Sequence, residues 1–178
     1  RGGWPATLQI KPKAAMLIAK DYVNSVCEND ISAVDGRQRN PKVARQILRS
    51  YARNISTLAK KTSILADVTA SEDITLTMNT YDDYISALER LFVIQDIDAW
   101  CPAIRSKTSL RSAPKRCFVD PSIAVAAMNI SVEEMETQLK TFGFIFEQMC
   151  IRDLKIYTAD FNSRISYYRD RYGLEADL

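Results

Sequence analysis

Thr80 to Ile97, TYDDYISALERLFVIQDI, changes its period in mid-course. Over the first half Tyr84, Ile85, Leu88 and Leu91 recur at helical spacing. Thr80, with Asp83 three residues on, has the spacing of a capping box in which Asp stands where Glu or Gln is usual, so a helix is predicted from Tyr81. Phe92 to Ile97 is rich in β-branched and aromatic residues and reads as a strand, and Arg116 to Val119 supplies a second. A helix running into a two-stranded hairpin with a long tip sets the expectation for everything around it.

Upstream, Lys11 to Glu28 carries Ala15, Ile18, Ala19, Tyr22 and Val26 on one face, with Pro12 suited to a first turn, and predicts an amphipathic helix. A loop follows from Asn29 to Asn40. Asn40-Pro41 gives a cap and a first-turn proline for a second helix, which turns Ala44, Ile47, Leu48, Tyr51, Ile55 and Leu58 to a core and Arg45, Arg49 and Arg53 to solvent. Ser63 to Thr69 forms a short third helix. Helices followed by this hairpin make a winged helix-turn-helix.

Downstream, Asp120-Pro121 opens a short helix to Met128, and Ser131 with Glu134 is a capping box for the next. Thr141 to Ala159 is the longest helical segment, with Phe142, Ile145, Phe146, Met149 and Ile156 as its apolar stripe and Glu147 on the flank. Tyr167 to Leu178 reads as strand, turn and strand, with Glu175 and Asp177 on one face. The fold class is mainly α with α+β character. Three parts are expected: residues 1–40 as a helix and linker, 41–128 as the winged helix, and 129–178 as a helical segment ending in a β-hairpin.

The 178 residues are 47% apolar, enough to bury a core. No apolar run approaches the roughly 18 residues of a membrane span, and no secretion signal opens the chain, so a soluble cytoplasmic protein is expected. Cys27, Cys101, Cys117 and Cys150 lack metal-ligand spacing and read as packed thiols. The chain has no histidine, which excludes Ser-His-Asp, Cys-His and His-ligated zinc chemistry. Net charge is only +2, yet no acid stands between Asp98 and Asp120, where Arg105, Lys107, Arg111, Lys115 and Arg116 form a basic wing.

That wing, interleaved with Ser106, Thr108, Ser109 and Ser112, suits salt-sensitive phosphate contact; the competing reading is a loop set against an acidic protein surface. Trp100, Tyr167 and Tyr168 read as core aromatics rather than base-stacking platforms. Glu175 and Asp177 could hold a divalent cation if a further acid and a lysine joined them.

Several strings together resemble a known family: Arg1-Gly2-Gly3-Trp4-Pro5, Leu88-Glu89-Arg90-Leu91, Ala99-Trp100-Cys101-Pro102, Pro114-Lys115-Arg116 with Phe118-Val119-Asp120-Pro121, Thr141-Phe142-Gly143 with Phe146-Glu147, and Tyr168-Arg169-Asp170 with Gly173-Leu174-Glu175-Ala176-Asp177. They look like the C-terminal region, domain of unknown function 4143, of bacterial and archaeal AAA-type ATPases. The resemblance implies a missing P-loop module that uses ATP and magnesium, a winged helix, and the start of a restriction-endonuclease-like domain. Glu147, Glu175 and Asp177 would then be the remnant of a nuclease site that binds metal only in an intact protein, with its E-x-K element beyond Leu178. The chain itself has no G-x-x-x-x-G-K-[ST] and is expected to have neither catalysis nor a cofactor of its own. Expected partners are the ATPase module, DNA at the wing, and a second copy paired along the hairpin edge. The leading expectation is a nucleic-acid-associated module, the alternative a protein-interaction or lid module.

Overall fold

Proline costs least in the first turn of a helix, where its missing N–H has no partner to lose, and Pro12, Pro41 and Pro121 each open an α-helix in this chain. The computed structural model describes residues 2–70, 74–101, 112–161, 163–170 and 172–177. Its helices are α1 (Pro12–Ser25), α2 (Pro41–Arg53), α3 (Lys61–Thr69), α4 (Met78–Arg90), α5 (Pro121–Met128), α6 (Val132–Thr137) and α7 (Leu139–Tyr157), followed by an antiparallel hairpin of β1 (Tyr168–Arg169) and β2 (Glu175–Ala176). The chain is mainly helical, as its patterning predicts.

Local chemistry accounts for most boundaries. Asn40 Oδ1 accepts from the Lys42 amide at 2.9 Å, Asp120 Oδ1 from the Ser122 amide at 2.8 Å, and Ser131 and Glu134 close their box in both directions. The α4 cap differs from expectation. Thr77, not Thr80, accepts from the helix, at 3.2 Å from the Thr80 amide, so α4 starts three residues early. Helix α1 also outruns its prediction: a π-helical turn at Val26–Asp30 leads into Ile31–Ala33, adding a residue to the turn so that Val26, Cys27 and Ile31 are all buried.

One apolar core runs from Val23 to Ile145 and so passes through both expected junctions, at 40/41 and 128/129. Helix α5 lies against α1 and α2, which is why its sequence is apolar on every side. A second small cluster joins Ile97, Cys117 and Ile151. The predicted hairpin is an irregular arm: Phe92 takes a left-handed turn (φ +54°), and antiparallel pairing begins only at Ile94 with Phe118 and Ile97 with Lys115. Ala99 then pairs in parallel with Tyr167, carrying the chain of backbone pairing into β1.

Two ionic anchors fasten the loops. Buried Arg39 donates to Ile31 O at 2.6 Å, to both Asp35 oxygens at 2.8 Å and to Asp83 at 2.9 Å. Asp120 accepts from the Gly3 amide at 2.7 Å and from Arg152 at 2.7 Å. The Gly2-Gly3-Trp4-Pro5 segment is therefore docked on the start of α5 and on α7. Trp4 stacks obliquely on Tyr22, 5.0 Å between centroids, and donates to Ser122 Oγ at 2.8 Å. Gly2 has φ +73°, and a Cβ there would collide with Ser122 and Asp120.

Burial works to raise the Asp120 pKa, but hydrogen bonds from Ser122, the Gly3 amide and Arg152 overcome it and leave it low; the Arg39 hydrogen bond likewise lowers Asp83. An unfolded aspartate titrates near about 3.9. Above that pH these carboxylates are charged in both states and their stabilisation is complete; it is lost as pH falls through their lower folded values. The urea midpoint should drop between about pH 5 and about pH 2. Asp120→Asn should flatten that drop and cost about 2–4 kcal/mol at neutral pH. An unchanged midpoint and acid profile would remove Asp120 as an anchor.

Candidate functional site

Side chains alternate along an extended segment, so residues 115–118 must point two ways. Here both ways lead inward, because α2 lies on one side of the arm and α7 on the other. Arg116 and Phe118 face α2: Phe118 meets Tyr51 edge-on at 5.7 Å, and the Arg116 guanidinium lies 5.8 Å from the centre of the same ring. Arg116 donates to Asp96 at 2.6 Å and to Ala59 O at 2.8 Å, while Asp96 also accepts from Tyr51 Oη and the Cys117 amide.

Lys115 and Cys117 face α7. Lys115, 1% exposed, places Nζ 2.7 Å from Glu147 Oε1 and 2.7 Å from Asp177 Oδ1, and 5.8 Å from the centre of the Tyr167 ring. Burial opposes its charge, but the hydrogen bonds to Asp177 and Glu147 prevail and hold its pKa above the ordinary lysine value. Glu147 is also raised, by burial first and then by repulsion from Asp177 and Glu175, against the lowering effect of Lys115. Burial pushes the Cys117 thiol up to about 12, which makes it a poor nucleophile.

Glu147 and Asp177, two of the three expected acids, do meet. Glu175 does not join them and faces Arg169 at 4.0 Å. The cation between the two carboxylates is Lys115, so the triad is closed on itself. Among the described residues no group of three or more His, Cys, Asp or Glu could hold a metal ion.

Of the basic wing, Lys115 and Arg116 are buried and ion-paired, which corrects their place as phosphate contacts. Arg105, Lys107 and Arg111 lie outside the described residues. Tyr167 is buried as a core aromatic, whereas Trp100 is 55% exposed, packed edge-on against Tyr168 at 5.8 Å. The signal that Lys115 turns inward was present in the alternation with Cys117, but only the covering by α7 makes that face an interior.

Helix α7 departs furthest from its reading. Of the expected stripe only Ile145 is buried, and the inner face is instead Ile145, Gln148 and Ile151. Gln148 fits there because it bonds both ways to the Phe118 backbone, at 3.1 and 2.9 Å. Leu139, Phe142, Phe146 and Ile156 stay open, at 73%, 46%, 52% and 63% exposure. Phe142 and Phe146 stack 6.4 Å apart beside a groove of about 630 Å³, whose other wall holds Met16, Ala19, Val125, Val132 and Met135.

A family model of a domain of unknown function, DUF8612, matches residues 1–134. The chain belongs to that family. The match replaces the resemblance to domain 4143 of AAA-type ATPases, to which nothing links this chain. The strings that carried that resemblance are local structure: Val119-Asp120-Pro121 is a helix cap and Thr141-Phe142-Gly143 part of a helix, and such strings arise in unrelated folds. The ATP, magnesium and nuclease expectations rested on that resemblance alone. No curated protein and no solved structure matches the chain. Among the described residues no helix is long and apolar enough to cross a membrane.

Lys115→Met leaves two carboxylates facing each other around an apolar side chain. The expected cost is about 3 kcal/mol, with faster amide exchange across β1 and β2. Adding Glu147→Gln should restore a large part of that loss, and a double-mutant cycle by urea unfolding measures the coupling. Strict additivity of the two substitutions would show that the triad does not hold the hairpin.

Proposed function

We propose that this chain is a protein-interaction module that receives a helix of another protein along the outer face of α7. The observation that supports it is an open heptad seam. Leu139, Phe142, Phe146, Met149, Asp153 and Ile156 follow one another at steps of 3, 4, 3, 4 and 3 residues, which is the a/d spacing of a helix that packs against a second helix. A helix apolar on both faces belongs in an interior. The inner face of α7 has its core, and the outer face needs one.

The kind of occupant follows from the same spacing. A seam of this length runs about 27 Å at 1.5 Å per residue, and a helix laid along it would drop side chains into the groove beside Phe142 and Phe146. Gly143 lies on the flank of this face, with nothing within 4 Å of where its Cβ would be. Glycine in a helix interior costs about 1 kcal/mol relative to alanine, and no contact among the described residues accounts for it. A close helix–helix approach does.

The rest of the fold serves in this reading as scaffold: α5, α6 and the arm hold α7 from behind. With Lys115 and Arg116 taken up inside, nucleic-acid binding keeps only wing cations that lie outside the described residues.

A photoreactive amino acid at position 146, in cells that make the protein, should yield an adduct with a second protein through a helical segment. That protein, purified, should bind the full chain and bind the Phe142→Glu, Phe146→Glu variant at least tenfold more weakly, while the variant keeps its own unfolding midpoint. Gly143→Ala should stabilise the free chain by about 0.5–1 kcal/mol and weaken the complex. An adduct only with a second copy of this chain would make the face a dimer seam and overturn the hetero-partner reading; equal binding by the double variant would overturn the seam itself.

A further inference from the structure

On the other side of the Asp120–Arg152 pair from the α7 groove lies a second cleft, of about 390 Å³, within the size range of small-ligand sites. Segments distant in sequence converge on it: Trp4, Tyr22 of α1, Leu91 and Phe92 after α4, Gln95 of the arm, and Lys155 and Ile156 of α7. Its walls are flat and apolar, with the Trp4–Tyr22 pair on one side and Phe92 and Ile156, 73% and 63% exposed, at the rim.

The polar groups in this cleft are not equivalent. Arg152 is neutralised by Asp120 and Asp153, both at 2.7 Å, and Gln148 is held by the Phe118 backbone. Lys155 differs. Among the described residues its ammonium reaches Gln95 O and Gln95 Oε1, each at 3.4 Å, and no carboxylate within ion-pair distance, Asp96 acting on it only from further off. Burial lowers its pKa and outweighs the raising effect of Cys117 and Asp96. Three N–H donors with two long, neutral acceptors leave room for one anionic oxygen pair.

Phe92 supplies an independent observation. It occupies the position after α4 where a left-handed residue closes the helix, with the Phe92 amide on Glu89 O and the Val93 amide on Leu88 O, each at 3.0 Å. Glycine is usual there, and a bulky residue in that conformation costs about 1 kcal/mol or more. The ring is not used by the core, so the fold accepts strain to keep an aromatic side chain at the mouth of the cleft.

We infer that this cleft binds an aromatic monocarboxylate, with its ring between Phe92 and the Trp4–Tyr22 pair and its carboxylate on Lys155. A single available ammonium matches a monoanion better than a phosphate dianion, which would call for a second free cation. The carboxylate belongs either to a small acid or to the C-terminus of a peptide; the recognition chemistry is the same. This site touches the end of the α7 seam at Ile156, but its recognition groups, Lys155, Phe92 and the Trp4–Tyr22 pair, are not part of that seam, and its fate does not depend on that reading.

The test uses the full chain carrying Trp100→Phe, so that emission reports Trp4 alone. Phenylacetate and a pentapeptide ending in phenylalanine are titrated, each against its uncharged amide. The expected result is saturable quenching by at least one of the acids, at least tenfold weaker with the matching amide. Binding should weaken tenfold or more in Lys155→Met and persist in Lys155→Arg. Phe92→Gly should bind more weakly while its unfolding midpoint rises. Binding of phenylacetate alone assigns the site to small acids, and tighter binding of the peptide assigns it to chain termini. If neither acid binds, if amides bind as well as acids, or if Lys155→Met binds like the parent chain, the inference is wrong.

Discussion

Two adjacent cations, Lys115 and Arg116, lie on opposite faces of one arm, and both faces are covered. That constraint organises the rest of the molecule. An ion taken out of water costs several kcal/mol unless a carboxylate and further hydrogen bonds replace the lost solvent. Arg116 therefore requires Asp96, and Asp96 in turn binds Tyr51 and the Cys117 amide, which ties the arm to α2. Lys115 requires Glu147 and Asp177, which ties the same arm to α7 and to the end of the hairpin. Neutralising one charge strands its partners, so α2, α7 and the terminal sheet are coupled through a few backbone residues.

The helices were legible in the sequence because their signals are local. Asn40-Pro41, Asp120-Pro121 and Ser131 with Glu134 each satisfy end groups within a few residues, and each begins a helix where the pattern puts it. At α4 two threonines competed for the cap, and the earlier one prevailed, since Leu76 and Met78 pack at the edge of the core and draw the first turn forward. The burial of the basic pair was not legible. A run of Lys and Arg with no nearby acid resembles a solvated tip until Asp96, Glu147 and Asp177 are brought to it, from as far as 62 residues away. Glu147 and Asp177 were picked out as acids that would converge, and they do, but on a lysine that the same reading had turned to solvent.

Helix α7 shows a different limit. Its apolar residues exceed what one face can bury, and periodicity alone does not say which subset the core takes. The core takes Ile145, Gln148 and Ile151 because the Gln148 amide matches the Phe118 backbone, a pairing that no hydrophobic pattern displays. The phenylalanines that carried the sequence-based stripe are the ones left outside.

Gly143 and Phe92 are exchanged relative to what stand-alone stability favours. Glycine sits in the middle of an exposed helix, where alanine is better by about 1 kcal/mol, and phenylalanine sits in a left-handed helix stop, where glycine is better by a similar margin. Swapping the two residue types would improve the chain as a folded object. Local rules are broken most often where a surface serves something other than the fold, and these two departures lie by two concave surfaces, Gly143 next to Phe142 of the groove and Phe92 in the cleft, one on each side of the Asp120–Arg152 pair. That pair anchors the N-terminal segment, caps α5 and forms the wall between groove and cleft, so the rigidity that the fold requires at Asp120 is also what keeps both surfaces in shape.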